Sequence, residues 1–211
     1  MNISVPISAG QPAGLSIMRD EKGLNSFYDP ACAAAIWDRD IPAEVTSWLA
    51  ALDPVVLRNA RVVVQAQTVP KTVADLCDIA QVPKGPQRAW LIDDIGMLAQ
   101  RFAGLMSAPY LRLRLQAITT NACRKFHLDA ITGRLVCTYH GMGMQYGTCE
   151  NGAEPIHIHT TPTGAPILLR GSLWPSEPAS GLLHRSPPIE GTGETRLVLV
   201  LDPVFDLEGA E

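Results

Sequence analysis

The chain has 211 residues, of which 46% are hydrophobic and 18% are charged, and these fractions argue against global disorder. The formal net charge is −4, so binding to nucleic acid through a general positive charge is not expected. The N-terminus lacks the cationic start and apolar stretch of a secretory signal, and no stretch is apolar enough for a membrane span. We therefore expect a cytoplasmic protein that is not bound to a membrane.

The residue pattern of the first half of the chain predicts mainly helices. Residues 1–40 are rich in Gly, Pro, Asp and Ser, which is typical of an irregular arm. The pattern that follows predicts a short helix beginning near Pro42, a strand over residues 61–67, a helix from Thr72 to Ala80 and a long helix over residues 90–107. In the long helix the apolar residues recur at helical spacing, so one face is expected to pack on a core.

The second half predicts short strands. Apolar alternation or β-branched content is found over residues 111–115, 134–139, 155–160, 166–169 and 196–201. Gly and Pro separate these segments, and no helix of crossover length lies between them, which favours an antiparallel sandwich or barrel. We therefore expect one domain over residues 1–211 with an α+β, mainly β fold. Its expected parts are the arm over 1–40, a helical layer over 41–108 and a β-barrel core over 109–205.

A His-x-Asp motif in the second half predicts a metal site. His127 and Asp129 flank Leu128, and His184 and Arg196 follow far downstream. If this segment is a strand, the side chains of His127 and Asp129 point to the same face and can share one ion. Two imidazoles and one carboxylate occupy one side of a divalent ion and leave the other side open. Non-haem Fe(II) oxygenases need such an open side to bind oxygen.

The same residues carry a resemblance to a known family. The order His127, Asp129, His184, Arg196 on short strands resembles the Fe(II) and 2-oxoglutarate-dependent dioxygenases, whose double-stranded β-helix holds the metal between two sheets. The chain is also similar to an uncharacterised bacterial domain family of unknown function, through CRKFHLD at 123–129, CTYHG at 137–141 and GLLHRSPP at 181–188. The resemblance covers roughly residues 111–203. It implies a jelly-roll or cupin-like barrel with an N-terminal helical layer.

The resemblance also implies roles for individual residues. His127, Asp129 and His184 would bind Fe(II), and Arg196 would pair with the far carboxylate of 2-oxoglutarate. The expected activity is that of a dioxygenase of the hydroxylase type, an oxidoreductase acting on a small molecule or a protein side chain. Selectivity for the substrate is expected in the loops over 142–155 and 171–180.

One position departs from the family pattern. Many of these enzymes carry a hydroxyl residue two positions after the basic residue, whereas this chain has Val198 there. Tyr139 or Thr138, on a preceding predicted strand, are the candidates for supplying a hydroxyl to the cosubstrate.

Other interpretations of the polar residues stay open. Imidazole and carboxylate also suit zinc, so a non-redox barrel for metal handling or sensing is the alternative function. His157 and His159 could join His184 or His140 in a three-histidine site. The five cysteines are widely spaced and include no C-x-x-C pair, which predicts reduced thiols. Cys123, Cys137 and Cys149 could bind zinc together with a histidine. Burial of these three cysteines as small hydrophobic residues is the simpler interpretation.

Overall fold

The computed structural model describes residues 12–52, 59–148, 154–175 and 180–208. Within them, the strands are β1 (Leu15–Met18), β2 (Ala34–Trp37), β3 (Ala60–Val64), β4 (Tyr110–Ile118), β5 (Gly133–His140), β6 (Gln145–Thr148), β7 (His159–Thr160), β8 (Ile167–Arg170), β9 (Leu182–Arg185) and β10 (Arg196–Val204). The helices are α1 (Ala43–Ala51), α2 (Val69–Ile79) and α3 (Pro86–Met106), with short 3-10 helices at Glu21–Tyr28 and Ala66–Thr68. The fold is thus mixed α/β and consists mostly of strands.

The described strands form a large and a small sheet. The large sheet has seven strands in the order β1-β2-β8-β5-β10-β4-β3, and the small sheet has three in the order β7-β6-β9. Pairing is antiparallel except between β1 and β2, which run parallel. The two longest strands, β4 and β10, pair along their whole length in the middle of the large sheet.

Alternating side chains on β10 place the large sheet between two apolar layers. Leu199 and Leu201 belong to a buried cluster with Phe102 of α3. Val198 and Val200, the intervening residues, belong to a second cluster with residues of β6 and β9. Because side chains on a strand alternate between faces, one face of the large sheet packs on the helices and the other on the small sheet. Full burial of each such aliphatic side chain contributes about 1.5–3 kcal/mol to stability.

The long helix α3 connects the helical half to the strands. It begins at Pro86, four residues before the predicted start, because proline suits the first turn of a helix. It ends at Met106, and the left-handed backbone of Ser107 (φ 48°) then turns the chain into β4. No described helix is both long and apolar enough to cross a lipid bilayer.

The arm is more regular than its composition predicts. Residues 15–18 and 34–37 add β1 and β2 to the edge of the large sheet, and Glu21–Tyr28 forms a 3-10 helix between them. Both strands are short. Among the described strands, β1 pairs only with β2, and β2 pairs with β8, which lies more than 130 residues further along the chain by the register of Ala34 with Leu169. A local pattern carries no signal for such a distant partner.

Two further boundaries correct the sequence-based expectations. Helix α2 begins at Val69 and not at Thr72, whose hydroxyl instead donates to the carbonyl of Thr68 inside the helix. The strand predicted over 155–160 is reduced to the two residues of β7.

Candidate metal centre

His127 and His184 are brought together by the main chain. The amide of each donates to the carbonyl of the other, at 3.0 and 3.1 Å, in a single antiparallel bridge at the edge of the small sheet. Their rings are neighbours, with centroids 4.5 Å apart. The prediction that His127 and Asp129 alternate on one strand is wrong, because His127 forms only this bridge and Asp129 lies in the loop beyond it.

Asp129 completes a three-residue cluster. Its Oδ1 lies 3.5 Å from Nε2 of His127, and its Oδ2 lies 3.1 Å from Nε2 of His184. One nitrogen or oxygen atom from each of the three residues lies within 4.8 Å of the others, and in the described part of the chain only these residues form such a group. The side chain of His184 is 7% exposed and that of His127 is 32% exposed, so the cluster opens on the His127 side.

The pKa shifts of Asp129 and His184 suit a site for a divalent cation. Burial raises the pKa of Asp129, but the hydrogen bond with His184 and the charge of Arg134 outweigh it and lower the pKa to about 2. Burial lowers the pKa of His184, which keeps the imidazole neutral at neutral pH despite the nearby carboxylate. An ionised carboxylate and a neutral imidazole both carry the free electron pairs that a metal ion needs.

The orientation of the histidines has different supports. Nδ1 of His127 lies 2.9 Å from the carbonyl oxygen of Lys125, which makes Nδ1 the donor and leaves Nε2 free for a ligand. Nδ1 of His184 is buried and has no hydrogen-bond partner among the described residues. Next to the two histidines, the guanidinium of Arg185 lies 4.4 Å above the ring of Phe126 and also donates to the side chain of Gln145. Arg185 thus contacts both the segment of His127 and strand β6, and these contacts stabilise the bridge.

Two residues that the sequence analysis did not single out support Asp129. Nη1 of Arg134 donates to Oδ2 of Asp129 at 2.5 Å, while its Nε donates to Oδ1 of Asp202 at 2.6 Å. A signal for them is present in the sequence: Arg134 opens the apolar run of β5, and Asp202 is the single charge inside the apolar run of β10.

Arg196 is a buried cation at the start of β10. The residue is 2% exposed, its Nε donates to the carbonyl of Met142 at 2.5 Å and its Nη2 to Oγ1 of Thr138 at 3.3 Å. Among the described residues no carboxylate lies within 4.0 Å of the guanidinium. Burial lowers the pKa of Arg196 to about 10, although the charge of Glu194 opposes the shift. A buried guanidinium without a carboxylate partner is suited to bind an anion.

Gly141 makes room for this arginine. Its φ of +76° is in the region that favours glycine, and a Cβ there would lie 3.0 Å from Cγ of Arg196 and 2.5 Å from the carbonyl oxygen of Thr195. The chain therefore passes close to the buried side chain only because residue 141 has none.

The structure separates the two candidate hydroxyl residues. Tyr139 packs in the helix-facing cluster, and its hydroxyl donates to Asp94 of α3 at 2.6 Å. Thr138 points to the other face, directly opposite Val198 in the register, where it contacts Arg196. Tyr139 is thus on the wrong side of β5 for the role that the sequence analysis gave it, and Thr138 places a hydroxyl beside the position where Val198 lacks one.

His157 and His159, the histidines of the alternative site, lie outside this cluster. His159 stacks on Tyr146, with ring centroids 5.5 Å apart, while His157 is an exposed loop residue. Neither belongs to the three-residue group of His184, so the alternative three-histidine site is not formed among the described residues. Of the described cysteines, Cys123 is exposed and Cys137 is fully buried, and both are free thiols; Cys149 lies outside the described residues.

Comparison with protein families identifies the chain. The model of the family described as "Protein of unknown function (DUF1826)" matches residues 18–202, so the chain belongs to this family. The expected resemblance to an uncharacterised domain family is thereby confirmed. Comparison of the sequence with curated proteins yields no match.

Solved structures of dioxygenases are similar to the chain. The dioxygenase for auxin oxidation from rice is 11% identical over 85% of this chain and 77% of its own, with a TM-score of 0.52. The 2-oxoglutarate complex of the corresponding enzyme from Arabidopsis thaliana is 10% identical, with a TM-score of 0.47. The match covers 71% of this chain and 64% of the Arabidopsis chain, so this chain spans less than two thirds of that protein's length. A prolyl-4-hydroxylase from Pseudomonas putida is 12% identical over 87% and 97%, with a TM-score of 0.43. The likeness to the rice protein shows that the chain shares the fold of that structure.

Proposed function

We propose that this member of the DUF1826 family is a non-haem Fe(II) and 2-oxoglutarate-dependent oxygenase of the hydroxylase type, acting on a small molecule or a protein side chain. The observation that carries the proposal is a pairing of two sites. A cluster of His127, Asp129 and His184 suits a divalent cation, and a buried, carboxylate-free guanidinium at Arg196 suits an anion. A 2-oxo dicarboxylate has a chelating end for the cation and a distal carboxylate for the guanidinium.

The strand order supports a double-stranded β-helix around these two sites. Strands β4, β5, β8 and β10 belong to the large sheet, and β6, β7 and β9 belong to the small sheet. The segment at His127 pairs with β9 and extends the small sheet. Along the chain the sequence of sheets is therefore large, small, large, small, small, large, small, large, which is the alternation expected when one chain winds two sheets into a jelly roll.

Both sites face the space between the sheets. Leu182 and Tyr146, which share the face of His184 in the small sheet, are part of the inter-sheet cluster. Val198 is part of the same cluster from the large sheet, and Arg196 reaches Thr138 on that side. The cosubstrate would lie between the two sheets, with apolar walls that exclude water from the chelated end.

The chain's residues divide the work in this proposal. His127, Asp129 and His184 would hold Fe(II), which supplies the activation of dioxygen when it is bound. Arg196 binds the distal carboxylate of 2-oxoglutarate through its guanidinium, and Thr138 orients that guanidinium. The more exposed His127 side of the cluster is the side from which a substrate would approach.

An anaerobic titration tests the proposal. Metal-free protein is titrated first with Fe(II) and then with 2-oxoglutarate, while the visible charge-transfer absorption of a cosubstrate chelated to iron is recorded. We expect one equivalent of Fe(II), and a band that requires His127, Asp129 and His184. Binding of zinc without any band or cosubstrate affinity would instead support the alternative function in metal handling.

Two adjacent substitutions on β5 give a matched prediction. T138V removes the hydroxyl beside Arg196 and is expected to weaken 2-oxoglutarate binding about fivefold, corresponding to roughly 1 kcal/mol for one hydrogen bond. Y139F removes the bond to buried Asp94 and is expected to leave 2-oxoglutarate affinity unchanged, while lowering the free energy of unfolding by about 1–3 kcal/mol. The measurements are band titrations and urea unfolding of both variants. The opposite assignment, with weaker cosubstrate binding in Y139F alone, would place the cosubstrate elsewhere.

A further inference from the structure

Arg134 joins the candidate metal ligand to the centre of the large sheet. Its Nε and Nη2 donate to the two oxygens of Asp202 at 2.6 and 3.2 Å, and its Nη1 donates to Oδ2 of Asp129 at 2.5 Å. The side chains of Arg134 and Asp129 are each 16% exposed, and that of Asp202 is 5% exposed. Two bonds to one carboxylate fix the plane of the guanidinium, so the third donor has a fixed direction.

A second arginine fixes Asp202 from the other side. Nη2 of Arg114 on β4 donates to Oδ2 of Asp202 at 2.7 Å. Strand β10 lies between β4 and β5 in the large sheet, so Asp202 is held by one arginine from each neighbouring strand. Of these two arginines, Arg134 also donates to Asp129, so they share a structural partner and differ in their link to the candidate metal centre.

From these contacts we infer that Arg134 is the positioning residue of the metal ligand Asp129, an inference that rests on the proposed function. With Nη1 of Arg134 on Oδ2, the other oxygen, Oδ1, is the one left without an arginine partner, and it faces Nε2 of His127. The contact with Arg134 would therefore favour binding of an ion through Oδ1 alone. One-atom binding leaves the additional coordination positions that a chelating cosubstrate and oxygen require.

A purely structural role for Arg134 predicts different behaviour. In that case its removal lowers stability through the loss of the Asp202 contact, as removal of Arg114 does, and leaves the affinity for metal unchanged. The positive charge of Arg134 also repels a cation, so loss of charge alone would strengthen metal binding. A weaker affinity in folded protein that lacks Arg134 therefore indicates lost positioning of Asp129.

The test compares R134A, R134K and R114A with the wild type. Mn(II) binding to the metal-free proteins is measured from the electron paramagnetic resonance signal of the free ion, without cosubstrate, and thermal unfolding is recorded for each variant. Outer-shell partners of metal ligands typically change affinity 10- to 100-fold, so we expect R134A to bind Mn(II) about 10- to 100-fold more weakly and R114A to stay within about threefold of the wild type. R134K, which keeps a donor and a charge, is expected to recover part of the affinity.

A second readout reports the binding mode of Asp129. The visible absorption of bound Co(II) depends on the number of ligands, and freeing Oδ2 allows the carboxylate to bind through both oxygens. We expect R134A to change this spectrum and R114A to leave it as in the wild type.

The outcomes separate the inference from the proposed function. Equal Mn(II) affinities and Co(II) spectra in R134A and R114A overturn the inference and leave the proposed function standing. Failure of the wild type to bind any divalent ion overturns the proposed function, and the positioning role with it. If R134A does not fold, R134K and R134Q are compared with R114A by the same criteria, since both keep a donor for one carboxylate.

Discussion

Replacing Asp129 with alanine is expected to abolish metal binding while leaving the fold intact. The substitution removes the one anionic ligand and leaves the guanidinium of Arg134 beside the two imidazoles. The site would then present a net positive charge to a cation, so the affinity should fall by more than about 100-fold, beyond the effect of an outer-shell change. H127A should act in the same direction through loss of one neutral ligand.

Stability and metal binding can be separated in this experiment. Neither substitution removes much core volume, because Asp129 lies in a loop and His127 is partly exposed. The native far-ultraviolet circular dichroism spectrum should therefore be retained, and the Asp202 contacts still hold Arg134. H157A, which changes an exposed histidine outside the cluster, is the matched control and should bind metal as the wild type does. Full metal occupancy in both D129A and H127A would rule out this site.

The ligands of the candidate site were accessible to prediction because their spacing is tied to chemistry. A His-x-Asp pair followed by a distant histidine can be recognised in a sequence as a possible metal site, whatever local structure brings the three side chains to one side of an ion. The structure brings His127, Asp129 and His184 into one cluster, and their role as metal ligands stays a prediction; the structural reason given for their proximity was wrong. The two histidines meet through a main-chain bridge with β9, not through alternation on one strand.

The choice between Thr138 and Tyr139 could not be made from the pattern of β5. This strand lies in the middle of a sheet that is covered on both faces, and its residues from Leu135 to Tyr139 are all buried. A strand that is buried on both faces has no polar and apolar alternation to mark the inner face. The register with β10, and the contacts with Arg196 and Asp94, decide it.

Long-range pairing explains the other omissions. Strand β2 of the arm pairs with the distant β8 and carries β1 on its other edge. Arg134 meets Asp202 across two strands that are separated by most of the second half of the chain. A charged residue in an apolar run indicates a buried partner, but the run itself does not say which partner it is. Propensity and periodicity describe local structure, whereas these contacts depend on sheet order.

Replacing Arg196 is expected to remove 2-oxoglutarate binding and to preserve metal binding. The guanidinium makes two hydrogen bonds, to Met142 and Thr138, and has no carboxylate partner among the described residues, so the distal carboxylate of the cosubstrate would supply its counter-charge. Charge-assisted hydrogen bonds contribute about 1.5–3 kcal/mol each. Loss of a bidentate pair in R196A should therefore weaken binding by at least about 100-fold. R196K, which keeps the charge without the fork, should lie between R196A and the wild type.

Arg170 provides the control for losing a buried arginine. It is also buried, but Nη1 and Nη2 of its guanidinium donate to the carbonyls of Phe27, Asp29 and Pro30, and the guanidinium lies over the ring of Trp174. Only its Nε has no hydrogen-bond partner among the described residues. R170K should lower the unfolding temperature and leave the cosubstrate affinity unchanged. The charge-transfer titration then distinguishes the two arginines. A general loss of packing would weaken cosubstrate binding in the variants of both arginines, whereas loss of an anion-binding residue would weaken it only in the variants of Arg196. If R196A bound 2-oxoglutarate with wild-type affinity, the anion-binding role of this guanidinium, and with it the observation that carries the proposed function, would be lost.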